Sequence, residues 1–231
     1  MLTPDKASSF DPEILKGRVD YTSGVDISEY SYSAYGGISI APMGLITEPG
    51  LRIKLNIGAG QYHYDGTKND GMATTSQMFT GRTTTIDLLA GYSFKKYDWI
   101  TKAYIGVQYN NHSVTPDDPE NPVQGTAANL KIQLETWKDL GNKTSFSSHV
   151  SYTSNHADYW FQSRLFTEYS RRFTLGLEGA VFGNENYSAT RFGALGRMKT
   201  DFGDVTLSGG ISASNDEDMS PYLSLSIYQK F

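Results

Sequence analysis

Residues 99–110 read Trp-Ile-Thr-Lys-Ala-Tyr-Ile-Gly-Val-Gln-Tyr-Asn. Taken alternately, Trp99, Thr101, Ala103, Ile105, Val107 and Tyr109 fall on one side, and Lys102, Tyr104, Gly106, Gln108 and Asn110 on the other. A period of two marks a β-strand, whose successive side chains point to opposite faces, and here one face is apolar. The pattern repeats in both directions from this stretch. Leu51, Ile53, Leu55 and Ile57 alternate with Arg52, Lys54, Asn56 and Gly58, and Leu130, Ile132 and Leu134 with Lys131, Gln133 and Glu135. Ile86 to Phe94, Phe146 to Tyr152, Phe173 to Val181, Val205 to Ile211 and Leu223 to Ile227 follow the same rule. No segment sustains a 3.6-residue period; Asp11 to Lys16 is the one candidate turn of helix.

About twelve such segments can be drawn, near 18–26, 30–42, 50–65, 80–96, 98–113, 125–138, 142–154, 157–170, 172–184, 187–201, 204–214 and 219–231. They exceed the roughly 5–6 residues of ordinary strands and suit the roughly 9–11 residues that cross a bilayer as a tilted strand. An even number of long strands is what a closed antiparallel barrel of the outer membrane requires. Tight links expected at Gly44–Gly50, Lys96–Asp98, Asp139–Asn142, Arg171–Arg172 and Phe202–Asp204 alternate with mostly longer ones at Asp65–Met78, Thr115–Gly125, Asn184–Asn186 and Asn215–Ser220. Short periplasmic turns and longer outer loops would put both termini in the periplasm.

Composition removes most other classes. The 231 residues include no cysteine, which excludes disulfides, thiolate metal sites and a cysteine nucleophile. A net charge of -5 argues against nucleic acid as a partner. Mean hydropathy is -0.44, and no run approaches the ~20 apolar residues of a membrane helix. Aromatic residues make up 13%, too many for a disordered chain. Met1 to Gly17 lack the basic and apolar regions of a signal peptide, so the chain is either cytoplasmic or a mature form behind an added Met1.

Alternation alone does not tell inside from outside. A soluble sandwich or lipocalin-like barrel would turn the apolar face inward. Small residues on the polar face (Gly58, Gly60, Gly106, Gly176, Gly193) point to an incompletely filled lumen, and Tyr21, Tyr92, Phe94, Trp99, Tyr109, Tyr152, Tyr159 and Tyr169 near strand ends suit interfacial girdles. Twelve long strands in a soluble chain would also need more apolar core than 38% supplies. The expectation is an all-β, roughly twelve-stranded antiparallel transmembrane barrel over 18–231, with 1–17 as a periplasmic tail or plug. The final Phe231 resembles the terminal signal such barrels present for assembly.

Several stretches resemble, in order and spacing, the BcsS family of alphaproteobacterial cellulose-biosynthesis accessory proteins. They are Ser23-Gly24-Val25-Asp26-Ile27-Ser28 with Tyr32-Ser33-Ala34-Tyr35-Gly36-Gly37, Gly58-Ala59-Gly60-Gln61-Tyr62-His63-Tyr64, Asp118-Pro119-Glu120-Asn121-Pro122-Val123-Gln124-Gly125, Leu134-Glu135-Thr136-Trp137, Gly183-Asn184-Glu185-Asn186-Tyr187 and Ser220-Pro221-Tyr222. The resemblance implies an outer-membrane barrel acting in export or surface anchoring of cellulose, with that glucan and other cellulose-secretion components as partners. It carries over no catalytic residue.

On the face expected to be inward, nine basic residues (Arg18, Arg52, Lys54, Lys102, Lys131, Arg164, Arg191, Arg197, Lys199) meet six acidic ones (Asp20, Asp26, Asp87, Glu135, Glu168, Glu178). One reading is a weakly cationic, hydrated passage in which Tyr35, Tyr62, Tyr104, Trp137 and Trp160 stack on sugar rings. The other is that the charges pair and brace the wall. Width decides between them, and about twelve strands lie between a filled barrel and an aqueous channel.

The acidic runs 117–121 and 215–218 have hard oxygen ligands but not the spacing of a known calcium loop, and read as solvated loops. Catalysis finds little support. His149 lies among Ser145, Ser147 and Ser151, but these share its strand and face; His63, His112 and His156 read as polar residues of outer strand ends. No cofactor or metal is expected. Outer-membrane lipid and lipopolysaccharide are expected partners, and the alternatives in function are a small-solute or acidic-oligosaccharide porin and a closed structural barrel acting through its loops.

Overall fold

A computed structural model describes residues 15–231 other than 70–73, 119–120, 122 and 216–218. The described residues form twelve strands: β1 (Val19–Ser28), β2 (Ser31–Ile40), β3 (Gly50–Asn69), β4 (Thr74–Lys96), β5 (Trp99–Thr115), β6 (Gly125–Gly141), β7 (Thr144–Thr153), β8 (Asp158–Glu168), β9 (Phe173–Gly183), β10 (Ser188–Thr200), β11 (Gly203–Ser214) and β12 (Ser220–Lys230). Each pairs antiparallel with its sequence neighbours, and β12 pairs with β1 in register from Asp20↔Lys230 to Ser28↔Tyr222, closing the barrel. Closure leaves no edge in the band where all twelve strands run side by side, which a sheet in lipid requires.

Side-chain exposure settles which face is which. Leu51, Ile53, Leu55, Ile57, Ile105, Val107, Leu130, Ile132, Leu223 and Leu225 are exposed on the outside, whereas Asp20, Lys54, Asp87 and Glu178 are buried inside. This is the inverse of a soluble barrel and fits a wall surrounded by lipid. Both described chain ends lie at one end of the barrel, called here the terminal end, with the links 41–49, 97–98, 142–143, 169–172 and 201–202. Asn142 and Lys143 take φ of 50° and 64°, the left-handed pair of a two-residue hairpin. The opposite end, the loop end, carries 29–30, 116–124, 154–157, 184–187 and 215–219.

Three expectations change. The span 65–78 is mostly strand rather than loop, because β3 and β4 continue to Asn69 and from Thr74. The link before β3 is nine residues, 41–49, and is folded rather than tight: Arg52 donates to the carbonyls of Ile46 at 3.0 Å, Leu51 at 2.8 Å and Glu48. The inward glycines mark close backbone approach more than spare room. A Cβ at Gly106 would stand 2.1 Å from the Leu88 carbonyl oxygen, and one at Gly176 would stand 2.3 Å from that of Leu165. Asp11 to Ile14, where a helical turn was the candidate, lie outside the described residues.

The strands are unequal. β3 to β6 have 20, 23, 17 and 17 residues, while the other eight have 10 to 13. On β3 the outward apolar run ends at Ile57, and Ala59, Gln61, His63 and Asp65 take the outward positions beyond it. That part of the wall stands clear of the bilayer.

Candidate functional site

In the terminal half, side chains from separate walls meet inside the barrel. Lys102 on β5 reaches Asp20 on β1 at 3.4 Å and Glu135 on β6 at 3.7 Å, and Glu135 also binds Lys54 of β3. Gln133 donates to Glu135 at 2.7 Å, and the Tyr228 hydroxyl to Asp20 at 3.3 Å. Next to this group Lys131 pairs with Asp87 at 2.8 Å, and Asp87 accepts further bonds from Gln108 at 2.8 Å and Asn56 at 3.1 Å. Across the lumen Arg164 pairs with Glu178 at 2.8 Å, Tyr222 donates to Glu178 at 2.8 Å, and Arg191 pairs with Asp26 at 2.7 Å. The Arg197 guanidinium lies 4.1 Å from the Phe166 ring and 5.7 Å from that of Trp137. Every buried carboxylate named here has a cation or a donor, which offsets the cost of its desolvation.

Toward the loop end the lumen opens into a cavity of about 1080 Å³. Its floor holds Gln108, Lys131 and Arg191; Asp20, Lys54, Lys102, Glu135, Trp137 and Arg197 do not line it. Two aromatic groups form its sides. On β3 to β5, Tyr62 stacks with Tyr64 at 5.9 Å and with His112 at 5.7 Å, and Tyr64 stacks on Phe79 at 5.2 Å. On β8 and β9, Trp160 stacks on Phe182 at 4.7 Å, with Tyr187 at 6.4 Å from Phe182 and the Arg191 guanidinium 4.9 Å over the Phe182 ring. In a ring of twelve strands these groups lie almost opposite each other.

The described part of the 116–124 link folds onto the first group. Tyr64 donates its hydroxyl proton to Asp118 at 2.7 Å and accepts from Asn121 at 2.9 Å, while His112 Nδ1 bonds the Val123 carbonyl at 2.7 Å and Nε2 the Tyr62 hydroxyl at 2.9 Å. Burial, and next the bond to the Asp118 carboxylate, push the Tyr64 phenol up to about 12. Rings, hydroxyls, amides and balanced charges in one concave site suit a ligand with apolar faces and many hydroxyls.

The fifteen candidate lumen residues separate by depth. Tyr62, Lys131, Trp160 and Arg191 line the cavity. Tyr35 faces inward opposite Gly24 and is still 42% exposed, so open space reaches its level. Lys54, Lys102, Glu135, Trp137, Arg164, Glu178 and Arg197 make contacts with one another and with their neighbours inside the barrel, outside the lining of the cavity. Arg52 and Tyr104 are corrections to the idea of a hydrated passage: Arg52 is 1% exposed and holds the 41–49 link, and Tyr104 is buried with Lys54 over its ring at 5.3 Å. Glu168 sits at the terminal rim, paired with Lys199 at 3.3 Å, both half exposed. His112 is a further correction, being buried and doubly bonded rather than a loose polar residue. His149 stands opposite Glu135, and its Nε2 is buried with no hydrogen-bond partner among the described residues. The wall residues Tyr64, Phe182 and Tyr187 were not among the candidates, although Tyr64 shares the face of Tyr62 at a spacing of two and Phe182 that of Glu178.

Solved structures with the same architecture include the KdgM porin, at 9% identity and a TM-score of 0.50 over 92% of this chain and 99% of that one. The translocator domain of autotransporter NalP from Neisseria meningitidis matches at 12% identity and a TM-score of 0.53, over 93% of this chain and 88% of that one. At these identities the likeness is one of fold, that of outer-membrane barrels. We found no curated protein with a matching sequence. The family model described as cellulose biosynthesis protein BcsS matches residues 21–231, nearly the whole described barrel. A closed barrel with lipid-facing apolar walls, an aromatic-sided cup at one end and this match along its length together place the chain in the BcsS family of cellulose biosynthesis proteins.

Proposed function

We propose that the protein serves cellulose biosynthesis as a surface anchor: its loop end faces the exterior, its termini face the periplasm, and its cup holds a segment of the glucan without passing it through the wall. The observation that carries this reading is the meeting of Lys102, Glu135 and Lys54 with Asp20 inside the terminal half, below a cup that stops at Lys131 and Arg191. A glucan has apolar ring faces and many hydroxyls and no charge. The two cations of the floor are already matched by Asp87 and Asp26, so an uncharged chain displaces no ion pair.

Export through the lumen and uptake of acidic oligosaccharides are the competing readings. The second takes an observation from the KdgM porin, one structure of which is described as a complex with disordered oligogalacturonate. Asp118 and Asp158 at the mouth of the cup weigh against an acidic ligand here.

Planar-bilayer conductance of the full chain, joined to titration with cellohexaose and with oligogalacturonate, tests all three. Anchoring predicts no stepwise conductance and binding of cellohexaose that weakens about tenfold or more in Trp160→Ala. Stepwise openings blocked by cellohexaose would instead mean passage, and binding of oligogalacturonate alone would mean an acidic-sugar porin.

A further inference from the structure

A second cavity, of about 320 Å³, lies at the terminal rim, where the 169–172 and 201–202 turns come together and the inward Lys199 stands next to the outward Met198. The geometry points to a binding site for one anionic glycerophospholipid of the inner leaflet, its phosphate held by Arg172 and Lys199 and its acyl chains lying on Phe173, Met198 and Phe202. The site is independent of the glucan cup and shares with that reading only the periplasmic placing of the termini.

Its two halves have the chemistry of a lipid. Phe173 and Met198 are register partners on the outward face, and together with Phe202 they are 40% to 57% exposed, forming an apolar ledge next to lipid. On the water side the cavity is lined by Arg172 and Lys199, and the amide of Lys199 donates to the Arg172 carbonyl at 2.9 Å, so the two cations are fixed to one short piece of backbone. A guanidinium takes two phosphate oxygens at once and an ammonium a third.

Nothing else among the described residues uses this arrangement. Arg172 has no ion pair among them, and the Lys199–Glu168 pair is half exposed at both ends, weak enough in water for a phosphate to compete. Asp201 also lines the cavity, one carboxylate against the two cations Arg172 and Lys199, and the net positive charge left on the lining favours a headgroup with a net negative charge. The cavity volume is within the range of small-ligand sites. The rest of the rim supplies the setting: Lys95, Lys96, Lys143 and Lys230 are exposed there, and Lys138 lies 4.8 Å over the Trp99 ring at the same end.

Native mass spectrometry of the full chain in non-ionic detergent, with phosphatidylglycerol, phosphatidylcholine or lipid A added in turn, tests the assignment. One phosphatidylglycerol should be retained in preference to phosphatidylcholine. Arg172→Gln with Lys199→Gln should weaken retention about tenfold or more, and Lys95→Gln with Lys96→Gln, the same charge loss elsewhere on the rim, should leave it unchanged. Heat-modifiable migration on gels shows that each variant is a folded barrel. Equal loss in both double variants, or equal retention of the two phospholipids, would overturn the site in favour of diffuse attraction. Preferential retention of lipid A would overturn the inner-leaflet assignment.

Discussion

Lys102 on β5 reaches Asp20 on β1 at 3.4 Å with three strands of the wall between them. The contact therefore crosses the lumen, and its companions Glu135 and Lys54 have two strands of the wall between them. Removing Glu135 leaves two inward lysines short of their shared carboxylate. Glu135→Ala is expected to lower the unfolding free energy by about 3–5 kcal/mol, against about 0–1 kcal/mol for Lys199→Ala at the exposed rim pair. Urea unfolding in lipid vesicles compares the two directly; equal costs would mean that the inner pair is as solvated as the outer.

Leu55 and Asn56 are neighbours on β3 that point to opposite solvents. Leu55 is exposed on the outside, and Asn56 bonds Asp87 inside. Leu55→Arg puts a cation in lipid and should cost about 2–4 kcal/mol near the bilayer midplane. Asn56→Arg brings its guanidinium to the Asp87 carboxylate and should fold with a smaller loss, measurable in the same unfolding experiment.

Gly106 and Gly36 separate steric need from composition. Alanine at 106 drives its Cβ to 2.1 Å from the Leu88 carbonyl oxygen and 2.7 Å from the Leu89 Cα, both backbone atoms that cannot turn away. Alanine at 36 meets nothing closer than 3.8 Å. Gly106→Ala should reduce the yield of folded barrel on refolding, and Gly36→Ala should match the parent.

Tyr64 joins the wall to the 116–124 link through one oxygen. Tyr64→Phe removes the bonds to Asp118 and Asn121 together, leaving the His112–Val123 contact as a remaining side-chain tie. Proteases added from the loop-end side should then cut near Gln124 faster than in the parent by about fivefold or more, since the lost bond to the Asp118 carboxylate alone is worth about 1.5–3 kcal/mol.

Much of the barrel was legible because a period of two survives every local accident: Trp99 to Tyr109 and Leu223 to Ile227 announce their faces without help from partners. The extent of β3 and β4 was not. In sequence Thr67 to Asn69 and Thr74 to Ser76 hold no apolar residue, so there is no alternation of apolar and polar positions to read. The lumen was legible in its parts and not in its sum. Sequence places Lys102 and Asp20 on inward faces, but whether they meet depends on the curvature and shear of the closed wall, which only the three-dimensional register fixes. Arg52 shows the same limit, since its carbonyl partners belong to a link with no pattern of its own.

The tall strands β3 to β6 occupy a third of the circumference, and β3 runs on for roughly 40 Å past its last lipid-facing isoleucine at about 3.3 Å per residue. The mouth is thus shaped like a scoop, with a high back carrying Tyr62 and Tyr64 and a low lip formed by the short strands. Under the proposed anchoring, a stiff chain seated in it would have one free direction, out across the lip. Such a barrel would set the heading of a fibre as well as its point of attachment.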